Sequence, residues 1–198
     1  LVATDGHRLA LCRMDDVAME GEAQQAIVPR KAILELLRLL DEGEDPVEFT
    51  VNPHHIQFSM GPIVFTSKLI DGRFPDYERV IPETGNRVMV AERDALRQAL
   101  ARCAILTTEQ NRAVRFHLTP GLLKLSTQNP EEEAEEELPV DYQGGEMEIG
   151  FNVVYLLDAL NAMTEDKVEM HLTSPDSGCL LKAHGQEACL YVVMPMRL

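Results

Sequence analysis

Two hydrophobic periods divide this chain. In "VPRKAILELLRLL" (28–40) apolar positions recur at helical spacing, which predicts an amphipathic helix near 29–42. A short acidic turn follows, and "VEFTV" (47–51) then alternates as a half-buried strand does. The same change of period occurs again. "IGFNVVYLLDALN" (149–161) carries helical spacing, and an acidic turn leads into the alternating "KVEMHL" (167–172).

The two passages align without a gap. Glu44, Asp45, Val47 and Glu48 fall on Glu165, Asp166, Val168 and Glu169, and Leu36 and Leu39 fall on Leu157 and Leu160. With a small gap, "GPIVFTSKLI" (61–70) lies over "GQEACLYVVM" (185–194). Further back, "LVATDG" lies over "LKLSTQN", and the acidic "MDDVAMEGE" (14–22) takes the place of "EEEAEEE" (131–137). Each copy therefore reads as strands, one helix and about three more strands. The second copy has a front section that the first lacks: a strand, a helix near 91–106, and two strands joined at "TPG" (119–121). Residues 1–77 thus read as half of one unit and 78–198 as a whole one, joined through the turn-rich "DGRFPDYERVIPETGN" (71–86). A half-unit leaves a strand edge unpaired, so the chain is expected to derive from a longer one. It opens on Leu1 with no basic-then-apolar leader, which fits a piece or a processed product.

Charge changes the picture in one place. The formal net charge is −15, yet nine of the acids fall in 131–148, a stretch with no Lys or Arg. Consecutive glutamates diverge along a strand or helix, so the run reads as a solvated edge or loop and not as a metal site. His54 and His55 of "NPHHIQF" are adjacent on a strand, point to opposite faces and do not chelate one ion. The turn "DGHR" (5–8) supplies His7 with no nucleophile motif, which leaves it non-catalytic. Cys12, Cys103, Cys179 and Cys189 show no CxxC spacing and suit reduced thiols. Cys179 and Cys189 are the pair that a hairpin could bring face to face. The chain finishes on "YVVMPMRL", too short an apolar run to span a membrane. It reads either as a closing core strand or as an exposed apolar wall, and alternation permits both, with Val192 and Met194 facing one way and Val193 the other.

"TDGHRLA" (4–10), "SKLIDGRFPDYERVIP" (67–82), "EMEIGFNVVYLLDALNAM" (146–163) and "YVVMPMRL" (191–198), in this order, resemble the bacterial DNA polymerase III beta subunit family, the sliding clamps. The resemblance covers the whole chain. It implies an α+β, repeated DNA-clamp fold, each complete domain with two helices packed on antiparallel sheets. Residues 1–77 would be the C-terminal half of the second clamp domain and 78–198 the third. It further implies a non-catalytic processivity factor of the cytoplasm, without cofactor or metal. Such a ring surrounds duplex DNA regardless of sequence, as a head-to-tail homodimer of the full-length protein. It tethers polymerases, the clamp loader and repair proteins through their short apolar motifs.

Carried over residue by residue, the groove for those motifs would take Thr4, Gly6, His7, Arg8 and Leu9, then Pro75, Arg79 and Val80. It would also take Asn152, Tyr155, and Val192, Val193, Met194, Pro195, Met196 and Arg197. Methionine suits a wall that repacks around different partners. Many members place an aromatic rim residue where this chain has Asn111. The resemblance turns Arg30, Lys31 and Arg38 of the first helix, and Arg93 and Arg97 of the second, toward DNA; spacing alone gives only a solvated helix face. The helix at 151–163 carries no Lys or Arg. Ile105 and Leu106 would sit at the ring interface or loader contact. Two other classes remain at this point: a protein-only adaptor or specialised paralogue of the same fold, and a metal-dependent nuclease, for which no acid-plus-His motif speaks.

Overall fold

The helix-then-strands pattern recurs in the computed structural model, which describes residues 1–14, 24–40, 45–82 and 87–197. In chain order the elements are β1 (Val2–Thr4), β2 (Arg8–Cys12), α1 (Arg30–Leu39), β3 (Glu48–Val51), β4 (His55–Met60) and β5 (Ile63–Lys68). A single 3-10 turn at Tyr77–Arg79 leads to β6 (Arg87–Glu92), α2 (Arg93–Ile105), β7 (Ala113–Thr119), β8 (Leu122–Gln128) and β9 (Glu133–Pro139). The rest are β10 (Asp141–Tyr142), β11 (Met147–Asn152), α3 (Val153–Ala162), β12 (Lys167–Leu172), β13 (Cys179–Ala183) and β14 (Cys189–Val193). Thus α1 is followed by β3, β4 and β5 as α3 is followed by β12, β13 and β14. The acidic stretch at 15–22, Glu44 of the aligned turn and Leu198 lie outside the described residues.

The chain forms two compact units, one of 1–17 with 78–198 and one of 18–77. Hydrogen bonding accounts for the first grouping. β2 pairs antiparallel with β14, Leu9 opposite Val192 and Arg8 opposite Val193, so the opening hairpin belongs to the sheet of the later residues.

In the unit 18–77, β3, β4 and β5 form an antiparallel sheet. Its hairpin between Met60 and Ile63 turns on Gly61 at φ 55 and Pro62, a two-residue connection that needs a positive φ. Cross-strand partners Phe49, Phe58 and Phe65 form an aromatic row, with neighbouring centroids 6.3 and 6.2 Å apart. His54 sits in the β3–β4 turn, where its amide and that of His55 donate to Asn52 Oδ1.

The larger unit has two antiparallel sheets: seven strands ordered β1-β2-β14-β13-β12-β6-β10 and four ordered β11-β7-β8-β9. α2 buries Leu96, Ala99, Leu100 and Cys103, and α3 buries Val153, Leu156, Ala159 and Leu160, so each turns one stripe inward. The core they share with both sheets includes Met89, Phe116, Leu125, Ile149 and Met170. Phe116 and Phe151 meet edge-to-face at 5.2 Å within it. Tyr142 is fully buried and satisfies its hydroxyl by donating to the Gly145 carbonyl at 2.7 Å. Glu133, Glu135, Glu136 and Glu137 of the acidic run lie on β9, an edge strand. There, charged side chains discourage pairing with another chain.

The cysteines differ from expectation. Cys12 and Cys189 form the disulfide, whereas Cys179 is a buried free thiol. The cause is register: β13 and β14 place Cys179 opposite Val193, and β14 and β2 place Cys189 opposite Cys12.

Candidate functional site

The "TDGHR" turn between β1 and β2 is built by its own side chains. Asp5 Oδ1 accepts from the amides of His7 (3.0 Å) and Arg8 (3.1 Å), and Thr4 Oγ1 donates to the Arg8 carbonyl at 2.8 Å. Gly6 sits at φ 87, a conformation that other residues adopt only under strain. The turn aims Arg8 at α3. Its guanidinium bonds Asp5 Oδ2 at 3.0 Å and Asp158 Oδ2 at 2.5 Å, and its carbon lies 4.3 Å from the centroid of the Tyr155 ring. His7 stacks on the same ring at 6.5 Å. Burial works against the Asp5 carboxylate, but the amides of His7 and Arg8 and the guanidinium outweigh it and hold the carboxyl below its ordinary value. Burial likewise opposes the charge on Arg8, yet Asp158 and Asp5 together raise its pKa.

The terminal segment runs beside this turn. The Met194 amide donates to the His7 carbonyl at 2.9 Å, and the Met196 amide donates to the Gly150 carbonyl at 2.8 Å. Successive residues part company here. Val193 joins the helix-covered core, while its neighbour Val192, opposite Leu9, lies on the other face of the sheet. A Cβ at Gly178 would come within 3.2 Å of Met194 Sδ, 3.3 Å of Val192 Cγ1 and 3.5 Å of Pro82 Cγ. Leu9, Val192, Met194, Pro82 and Gly178 therefore make one apolar cluster, distinct from the helix-covered core, with Leu9 buried in it. Val192 is buried in it and Met194 is 36% exposed. Pro195 and Met196 are half-buried and Arg197 is exposed.

Among the other expected groove residues, Asn152 caps α3 by accepting from the Val154 amide at 3.0 Å. Arg79 ends the 3-10 turn and Val80 follows it, exposed. Pro75 belongs to the unit 18–77 and is exposed there. Asn111 tightens the turn after α2, its amide donating to Thr108 Oγ1 and its Oδ1 accepting from the Ala113 amide. Sequence reasoning read Asp5 only as a residue of the bend, as its bonds to the His7 and Arg8 amides bear out, and missed Asp158, Pro82 and Gly178. A signal existed for Asp158, an acid three residues after Tyr155 on a helix without a basic residue.

The basic helix positions are unequal. The Arg93 guanidinium donates to the carbonyls of Glu165 (2.7 Å) and Met163 (3.0 Å), and its side chain is only 18% exposed. Arg97 is 36% exposed and meets Asp94 at 3.4 Å. In the other unit Arg30 and Lys31 are exposed at the start of α1, and Arg38 pairs with Glu35 at 3.2 Å. Ile105 ends α2 with 78% of its surface exposed, and Leu106 caps that helix.

Comparison with known proteins places these features in a lineage. The family profile described as the DNA polymerase III beta subunit, C-terminal domain, matches residues 78–197, and that of the central domain matches 1–76. The chain belongs to this beta-subunit family. It is 52% identical to the beta sliding clamp of Pseudomonas putida and 48% identical to that of Escherichia coli strain K12, over 198 residues in each case. All of the chain aligns, against 54% of each relative, so it spans about half the length of the clamps it matches. A crystal structure of the Pseudomonas aeruginosa sliding clamp with ligand superimposes at TM-score 0.94 and 50% identity, covering all of this chain and 54% of that one. The Bartonella birtlesii clamp bound to griselimycin superimposes equally well at 39% identity, with the same coverage. The clamp fold is thus α+β with helices on antiparallel sheets, as the repeat implies. No described helix is long and apolar enough to cross a membrane.

Proposed function

We propose that this chain supplies the partner-binding part of a DNA sliding clamp, a non-catalytic processivity factor acting in the cytoplasm. Residues 1–77 would continue the second clamp domain and 78–198 form the third. In the complete protein two copies close a ring around duplex DNA. Ile105 and Leu106 lie at the ring interface or loader contact, and Arg30, Lys31, Arg38 and Arg97 offer sequence-independent phosphate contacts. Polymerases, the clamp loader and repair proteins would each insert a short apolar motif along the terminal strand.

One observation carries the reading. Met194, 36% exposed, lies beside the buried Leu9 and Val192 on the face of the sheet opposite the helix-covered core. Core packing leaves Met194 exposed, whereas an apolar motif laid on it removes that surface from water. Of the remaining positions, Thr4, Gly6, His7, Arg79, Val80, Pro195, Met196 and Arg197 would shape the walls and mouth, whereas Asn152 caps α3 and Val193 belongs to the core.

The test is calorimetric titration with a short apolar clamp-binding peptide, before and after removal of Met194–Leu198. Binding near micromolar, about −8 kcal/mol, is expected for the whole chain and none for the shortened one. Shortening should leave most of the third domain folded, because Val193 is the last described residue committed to the core. Equal binding by both forms would sink the proposal.

A further inference from the structure

The β2–β14 ladder holds the opening hairpin to the terminal strand, and it carries a cysteine on each strand at the same rung. Arg13 donates its amide to the Ala188 carbonyl at 2.7 Å, so Arg13 and Ala188 form a hydrogen-bonded pair. The next rung, Cys12 opposite Cys189, is therefore a non-hydrogen-bonded pair, where antiparallel strands come closest. Its Cα atoms are 4.1 Å apart. The partners are separated by 177 positions in sequence, so only the folded ladder brings them together.

We propose that Cys12 and Cys189 are a redox-controlled staple that sets how readily this ladder opens. Both side chains are partly accessible, whereas Cys103 and Cys179 are fully buried, and burial pushes the Cys179 thiol pKa far up. Reaction with a small disulfide such as oxidised glutathione is thereby confined to the one pair. The thiolate of one cysteine attacks a glutathione sulfur, forms a mixed disulfide and expels one glutathione thiolate. The second cysteine attacks the protein sulfur of that mixed disulfide and expels the other. Two cysteine thiols are oxidised to one disulfide, oxidised glutathione is reduced to two glutathiones, and the two thiol protons pass to them. The cross-link lies four rungs from Arg8 opposite Val193, where the "DGHR" turn and the terminal segment meet. Closed, it prevents the ladder from fraying at its far end. Open, it leaves the strands held by backbone hydrogen bonds and packing alone.

The 198-residue chain is equilibrated either with oxidised glutathione or with a dithiol reductant, and thiols are counted after denaturation. The reduced chain should show four, and the oxidised chain two, with a tryptic product joining the Cys12 and Cys189 peptides. Amide exchange at residues 8–12 and 189–193 should slow by at least about tenfold on oxidation. Cys189→Ser should show no such slowing. Four thiols after oxidation, a persistent mixed disulfide, a link to Cys103 or Cys179, or equal exchange in the two wild-type forms would each overturn the proposal.

Discussion

Met196 and Val193 are close neighbours with opposite duties. Val193 is buried in the helix-covered core, whereas Met196 is half-buried and held by one backbone bond to Gly150. Met196→Ala should therefore weaken peptide binding by roughly 1–2 kcal/mol and barely move the melting temperature. A core methionine would instead cost about 2–5 kcal/mol of stability on the same change. Calorimetry and thermal melting on one sample separate these outcomes. The two arginines of α2 divide in a similar way. Arg93→Ala strands two carbonyls and should cost about 1–3 kcal/mol in denaturant unfolding. Arg97→Ala should leave stability nearly unchanged. In a complete ring that touches DNA at this position, it should lower the logarithmic salt slope of binding by roughly 0.9.

α3 shows how much one element brings to the site. Its start is fixed by the Asn152 side chain, its inner stripe by Leu156 and Leu160, and its outer face carries Tyr155 and Asp158 to Arg8. Asn152→Ala should cost about 1 kcal/mol by chemical denaturation and should fray the turn that positions Tyr155. An unchanged midpoint would mean that the cap is idle. The helices and the repeat were legible in the sequence because apolar spacing is a local signal. Even so, α2 begins at Arg93 and not 91, since β6 keeps pairing with β12 through Glu92. Pairings between distant residues were not legible. Nothing local says that Arg8 finds Asp158, that Gly178 abuts Met194, or that Cys189 faces Cys12 and not Cys179. Register fixes these, and a one-residue slip would send every one to the opposite face. The groove list came from resemblance. Of its apolar members on β2 and β14, Leu9 and Val192 share a face and Val193 turns into the core, while Asn152 serves the helix as a cap.

At the scale of the molecule the deciding fact is length. The chain matches the central and C-terminal domain profiles and covers 54% of its relatives, which carry further sequence beyond the match. In the unit 18–77, α1 buries only Ala32 among its described residues and leaves Ile33, Leu34 and Leu37 exposed, a bare apolar face. Among the described residues, the three-stranded sheet there also has β3 and β5 as its edge strands. Open edges and bare apolar faces favour loose association between copies, not one closed geometry. The isolated 198-residue chain should therefore show concentration-dependent self-association in light scattering and no ring by electron microscopy. Topological retention is the sharper measure. A closed ring stays on circular DNA and slides off once the circle is cut, whereas contacts through Arg97 and its neighbours release with salt whatever the topology. Incubated with nicked circular DNA, this chain should elute with the salt wash equally from circles and from linearised molecules. Retention on circles that is lost on cutting would show that half the length of a clamp suffices to close, and the ring proposal would have to be rebuilt around this chain alone.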